Sequence, residues 1–362
     1  MKMRINTASR TQGMAILIVL SVILVLAVLA GGFAYSMRVE MRLARNSNYD
    51  AQSEWLGRSG VELARYVLAQ QARVPNQGGY EALNQKWAGG LGASNSDLAD
   101  VSMENVPLGA GKFSVKITDF ERKFNINTAD PIILQQAMIL MGIDATTSPT
   151  IVDSIQDWID RDDNPHTSGA ESDYYLTLEP PYFAKNGLID DLQELLLVKG
   201  ISSEMYWGTG AEGASRSARP SLLRPTTKFA KDAPTYPVGL VDLFVPVSSG
   251  RLNINTVSAT ALQLIPFIDA NAAAAILQVR AGPDGVDGTD DDTPFRNLGD
   301  LATAGLGREA IQQISRYCDV RSHTFEVQVD TEINNYRKRY MALIRRNNAN
   351  VNDFQILWLS WK

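Results

Sequence analysis

The sequence is short of the residues that catalytic and metal-centred proteins usually rely on. Cys318 is the sole cysteine, so no disulfide can close within the chain; that suits the cytosol, and equally a periplasmic protein without disulfides. His166 and His323 are the only histidines, which excludes a His-rich zinc site. Cations are outnumbered, with 34 Lys and Arg against 40 Asp and Glu. A net charge of −6 argues against bulk nucleic-acid binding, because neutralising phosphates needs clustered cations. No G-x-S-x-G, H-E-x-x-H or P-loop motif occurs, so no nucleophile or phosphate cradle is spelled out and no enzyme is expected. Cys318, in "SRYCDV" after an amphipathic stretch, reads as core; His166 reads as a solvent-facing turn residue.

Charge is also missing from one long stretch, "SRTQGMAILIVLSVILVLAVLAGGFAYSMR", where no side chain between Arg10 and Arg38 is ionic. A bilayer core needs about 20 apolar residues in helix, and Met14 to Tyr35 supply them. "AVLAGGFAY" offers an A-x-A-like cleavage site, so a secretory leader is one reading and a plain anchor another. Against removal, helical periodicity continues through Leu56, Gly60, Leu63 and Val67, with Glu54 and Arg58 at i,i+4. One helix over 14–72 is the simplest reading, with 14–35 in the membrane. The basic residues tie across the span, Lys2, Arg4 and Arg10 before it and Arg38, Arg42 and Arg45 after, so charge does not fix orientation.

Further along, 73–112 is rich in Gly, Asn and Ser and reads as surface connection. "KFSVKITDF" alternates like a strand, as do "TFEVQVDTEI", "RYMALIRR" and "FQILWLSWK", with "NNANVND" as a hairpin turn. Trp358 and Trp361 of the last strand pack on the long helix or form a partner surface. About 200 residues of helical character separate the first strand from the other three. Inside them, "KFNINTADP" at Lys123 and "RLNINTVSA" at Arg251 form an internal repeat, each copy leading into an apolar helix. Thr128 and Thr256 are the expected helix N-caps. The second copy closes with "FRNLGDL".

Two loops concentrate acid. "DRDDNPHTSGAESD" places Asp160, Asp162 and Asn164 at positions 1, 3 and 5 of an EF-hand-like loop and Glu171 at position 12, with Asp157 and Asp173 in reserve. Pro165 replaces the invariant glycine, so this is not an EF-hand, but oxygen ligands spaced by two can converge on Ca2+. "GPDGVDGTDDDTPF" gathers Asp284, Asp287, Asp290, Asp291 and Asp292 among glycines, a second candidate calcium loop. Solvated acidic loops are the alternative for both.

"TQG" followed by "MAILIVL" resembles a type IV prepilin or pseudopilin signal. The resemblance implies that residues 1–13 are a leader, that prepilin peptidase cuts between Gly13 and Met14 and methylates Met14, and that the apolar segment stays in a filament. Most such proteins have glutamate at the fifth mature position, where this chain has Ile18. A carboxylate in hydrocarbon is costly without a partner, and a subunit with no neighbour above it has none. Ile18, the repeat between strands, and "DWIDRDDNPHTSGAESDYYLTLEPPY" with "LIDDLQELLLVKGIS" resemble the protein K family of type II secretion minor pseudopilins. That resemblance implies an α/β fold: a long N-terminal helix on a small antiparallel sheet, with a mostly helical inserted domain. Its segments would be 73–122 as connection and first strand, 123–320 as the inserted α-domain, and 321–362 as the C-terminal strands. It further implies calcium in the α-domain, a place at the pseudopilus tip, and a role in starting assembly. The implied partners are other minor pseudopilins, the major pseudopilin, prepilin peptidase and the inner-membrane assembly platform; the implied location is the bacterial inner membrane with the soluble part in the periplasm.

The repeats also resemble SAM or helix-hairpin-helix modules, whose G-I-G hairpin cradles a phosphate. The equivalents here are Gly142-Ile143-Asp144 and Phe267-Ile268-Asp269. Phenylalanine cannot take the glycine conformation cheaply, and aspartate opposes phosphate. A membrane-anchored receptor binding DNA or protein is therefore the alternative function.

Overall fold

A computed structural model describes residues 9–92, 96–209, 235–347 and 353–361. Helix α1, Ser9–Gln71, runs as one uninterrupted rod, about 95 Å long at 1.5 Å per residue. From Met14 to about Asn48 every residue of it is exposed. Beyond that it packs. Leu56, Val61, Ala64, Val67 and Leu68 are buried, at the period expected of a helix with one apolar face.

That face lies on a five-stranded antiparallel sheet. In chain order the strands are β1 (Val106–Leu108), β2 (Gly111–Asp119), short β3 (Phe124–Asn125), β4 (Phe244–Val245), β5 (Leu252–Asn253) and β6 (Cys318–Asp319), then β7 (Thr324–Ile333), β8 (Tyr336–Arg346) and β9 (Phe354–Trp361). The large sheet has the order β1-β2-β7-β8-β9. Strict burial alternation in β2 and β7 turns Val115, Ile117, Val327 and Val329 toward α1. Close approach needs glycine. A Cβ on Gly57 would meet the Tyr340 ring at 2.6 Å, and one on Gly60 would meet Val329 at 2.4 Å. The four long strands sit where the sequence pattern places them, and β1 is an added edge. The "NNANVND" turn falls largely on 348–352, outside the described residues.

The stretch 73–104 is not simply a surface connection. Trp87 and Leu98 are buried beneath the sheet's helix-covered face, and Gln85 is buried with them. Its amide donates to the Gln77 and Tyr80 carbonyls and accepts from Ala82 N–H and the Trp87 indole. A polar side chain in the core thus replaces a hydrogen-bond ladder that the loop lacks.

The described residues between β2 and β7 form the second core, mostly helical: α2 (Pro131–Met141), α3 (Ser148–Ile159), α4 (Ser172–Tyr175), α5 (Ser203–Trp207), α6 (Leu240–Leu243), α7 (Ala259–Leu262), α8 (Ala270–Arg280) and α9 (Arg308–Ile314). β3 pairs in parallel with β4, and β5 with β6.

The two repeat copies are built alike, though not as expected at the caps. Asp130 and Ser258, two residues after the threonines, accept from Ile133 N–H and Ala261 N–H and start α2 and α7. Thr128 lies within a 3-10 turn, and Thr256 instead donates to Asp119. The reason is register: the chain must complete the Asn-Ile-Asn turn before a helix can begin. The second asparagine of each copy does the holding. Asn127 donates to the Ile189 and Pro246 carbonyls and accepts from Ile189 N–H. Asn255 donates to the Phe295 carbonyl at 2.9 Å and accepts its N–H at 2.8 Å. Each clamped residue is followed by a capped 3-10 segment, Leu192–Leu197 or Leu298–Ala304. Both acidic loops therefore occupy one place in the repeat, between its second helix and its closing turn.

Candidate cation site and the apolar rod

The first acidic loop starts where α3 ends. Asp157 is fully buried on the last turn, and Asp160 is the C-cap. The chain then loops back through His166 to Glu171, which caps α4 and is 4% exposed. The return is tightly fitted: a Cβ on Gly169 would collide with the Asp157 carboxylate, Ser168 N–H donates to Asp153, and Lys199 donates to the Gly169 carbonyl. As a result one carboxylate oxygen each of Asp160, Asp162 and Glu171 lies within 4.8 Å of the others. Asp157, Asp160 and His166 form a second such group sharing Asp160.

Hydrogen bonding does not satisfy this cluster. Both Glu171 oxygens, Asp157 Oδ2 and Asp160 Oδ1 are buried without a hydrogen-bond partner. Burial, then the charge of Asp157, pushes the Glu171 carboxyl up to about 7. Burial and the neighbouring Asp162 also raise Asp160, whereas Asp162 is lowered by Asn164 N–H donation. Converging orphaned carboxylates repel and are poorly solvated. A hard cation with oxygen ligands removes both problems.

Several sequence expectations change here. Asn164 turns its amide onto Asp162, which it braces. Asp173 is exposed on the first turn of α4 and lies outside both groups. His166 is not merely solvent-facing: its backbone N–H donates to Asp157 Oδ1 and its ring Nδ1 makes a short contact with the same oxygen, which raises its pKa. The EF-hand spacing missed Asp157 because that residue comes from the preceding helix.

The second acidic loop has different partners. Asp287 takes Arg280 in a two-pronged pair, Nε to Oδ1 at 2.8 Å and Nη2 to Oδ2 at 2.5 Å. Arg280 is buried and also donates to the Ile254 and Val257 carbonyls. Asp287 is thus the counter-ion that lets a buried guanidinium hold the repeat together. Asp284 accepts Val286 N–H, Asp291 accepts Asp284 N–H, and Asp292 accepts Gly288 N–H. Asp290 is exposed. Among the described residues no group of three metal-ligating side chains converges on this loop.

One polar cluster carried no sequence signal beyond acids at a strand end. At the junction of the two cores, Asp119, Glu121 and Glu81 are buried together. Asp119 accepts from Thr256, Ser322 and Asn253 side chains and from Glu121 N–H. Glu121 accepts Ser249 N–H and Thr324 N–H, so one carboxylate bolts the inserted domain to β7. Glu81 pairs with buried Arg346 and accepts Ser322 N–H. Burial and the Asp119 charge raise Glu121 to about 8. Cys318 is buried and its thiol pushed well above the usual range by desolvation, which fits a core residue and not a nucleophile.

At the other end of the molecule α1 is the one described helix long and apolar enough to cross a membrane, with a mean hydropathy of 3.1 over its best window. Met14 and Ile18 lie on it, 64% and 60% exposed. Gly13 is in the same helix. Among the described residues no element covers the rod.

Residues 117–207, which contain the first repeat and the acidic loop, match the family model described as type II secretion system (T2SS), protein K. The chain is similar to the type II secretion protein K family. It is 27% identical to type II secretion system protein K of Aeromonas hydrophila over 54% of this chain and 61% of that protein. It is 26% identical to the protein K of Pseudomonas aeruginosa over 78% of this chain and 76% of that one. The matches to the Aeromonas and Pectobacterium carotovorum family members span about six-tenths of their length, 61% in each. A chain of the GspK-GspI-GspJ complex from enterotoxigenic Escherichia coli has the same fold, with a TM-score of 0.62 at 18% identity over 88% of this chain and 99% of that one. The expected mixed α/β architecture, long helix and antiparallel sheet agree with that fold.

Proposed function

We propose that this chain is a protein K of a type II secretion system, a minor pseudopilin that sits at the tip of the pseudopilus and helps start its assembly. The observation that carries the reading is the bare apolar rod continuous with a helix locked to the sheet at Gly57 and Gly60. Such a rod needs either lipid or other helices around it. In this reading prepilin peptidase cuts between Gly13 and Met14 and methylates Met14 as the chain leaves the inner membrane. The helix then packs with counterparts of GspI and GspJ, the subunits that accompany GspK in the solved complex, and the periplasmic domain points away from the platform. Ile18 removes the carboxylate that a subunit beneath another would need, and the inserted domain is too bulky to repeat along a thin fibre. Both favour one copy at the end.

Asp157, Asp160, Asp162 and Glu171 would hold calcium in the α-domain, where the ion would cancel their mutual repulsion and stiffen the loop. The alternative, a helix-hairpin-helix receptor, gains one point: Phe267 does adopt a left-handed backbone, φ +75°, like Gly142 at +74°. Against it, Asp269 caps α8 where a phosphate would bind. The test is the mass of the mature N-terminus in cells with active processing. Methylated Met14, lost in Gly13→Lys, supports the pseudopilin; retained Met1 refutes it, and salt-dependent DNA binding would promote the receptor.

A further inference from the structure

The sheet's two edges are treated differently. β1 is three residues long and contains Pro107, the usual protection of an exposed edge. β9 has eight residues, "FQILWLSW", with no charge and no proline. Phe354 and Leu359 join the α1-covered core, but the strand's two tryptophans, expected either there or on a partner surface, do not. Ile356, Leu357 and Trp358 are 41–43% exposed and Trp361 is 62% exposed.

The backbone of β9 is open too. Arg346 N–H bonds back to His323 and Asn347 N–H to Asp353, so odd residues of β8 face β9 and even ones face β7. Through the register, with its bulge at Leu343/Ile344, the residues of β9 opposite even positions are Phe354, Ile356, Leu359 and Trp361. Their N–H and C=O groups point outward, away from the sheet.

We propose that β9 is completed by an extended, uncharged strand from a neighbouring subunit anchored in the same membrane. The row of main-chain groups selects an extended segment, and the absence of charge selects an apolar one. A second copy does not fit. β9 runs antiparallel to α1, since Asp353 pairs with Arg65 while Trp361 lies against Lys338, itself paired with Asp50. Antiparallel β9–β9 pairing about a twofold would point the two α1 rods in opposite directions, and both could not enter one bilayer. A different subunit whose helix runs beside α1 can present a strand at this edge. The inference rests on the assembly reading above.

The full chain is co-purified in detergent with its own system's GspI and GspJ counterparts, and amide exchange is followed residue by residue. Assembly should slow exchange at Ile356, Leu359 and Trp361 by about tenfold or more. Leu359→Pro removes an outward donor without touching the β8 ladder, and Ile356→Lys adds an edge charge. Each should weaken co-assembly by about tenfold; if the proline variant loses its melting transition, the lysine variant decides. Complexes that form with β9 amides exchanging as in the free chain, or that tolerate both variants, overturn the docking while leaving the assembly reading intact. A chain that never co-purifies overturns the assembly reading, and the docking with it.

Discussion

Removing the Asn255 side chain should cost more than almost any other single change in the α-domain. Asn255 is fully buried, and its amide satisfies both backbone groups of Phe295. Alanine leaves a buried N–H, a buried C=O and a small void. Each orphaned group costs about 1–3 kcal/mol and the void adds to that, so about 3–5 kcal/mol is expected for Asn255→Ala. Asn255→Asp keeps the shape and the Phe295 N–H acceptor but sets an oxygen against the Phe295 carbonyl, so it should also cost at least about 2 kcal/mol. Asn127 makes the same clamp in a partly solvated setting, where water can substitute. Its alanine variant should cost about 1–3 kcal/mol. The assay is urea unfolding of the full chain in detergent, read by near-UV circular dichroism. Asn255→Ala within about 0.5 kcal/mol of wild type, or Asn127→Ala the more damaging of the two, would refute the claim that the repeat's asparagines are structural clamps.

Calcium should raise the melting temperature of the full chain, and Glu171→Gln combined with Asp160→Asn should abolish the rise; a flat titration in wild type removes the metal proposal. The carboxyl of Glu121, raised to about 8, binds its proton in the folded state at pH values where the unfolded chain, with an ordinary carboxyl, has released it. From this group stability should therefore fall as pH rises from about 4.5 to about 8, and Glu121→Gln should reduce that slope in pH-resolved melts, leaving the part that Glu171 contributes below about pH 7. Gly60→Ala forces a methyl into Val329 and should cost about 1–3 kcal/mol, measurable in the same urea assay. Phe267→Asn relieves a left-handed backbone on an exposed residue and should stabilise by up to about 1 kcal/mol; a loss of stability there would mean that the phenyl ring packs on something.

Features that depend on neighbours along the chain are legible in the sequence alone. The uncharged run over 14–35, the helical face through Leu56 and Val67, and the alternation in "KFSVKITDF" and "TFEVQVDTEI" each reflect a period of 3.6 or 2 that one window contains. The duplicated N-I-N-T was visible for the same reason, and so was the acid-rich loop before "GAESDYY". The tertiary structure decided which polar groups meet across long separations. Asp157 joins Asp160 and Glu171 because α3 ends in that direction. Asp287 leaves the candidate ligands because Arg280 reaches it first. Glu81, the Asp119–Glu121 pair and Arg346 come from three separate segments and form one buried joint. Trp358 and Trp361, which the sequence left as either core packing or a partner surface, lie on the one long edge that no described element covers. Periodicity encodes which face of an element is apolar. It carries no information about which face of another element will be brought against it, and hydrogen bonds and charges act only over the few ångströms that this decides.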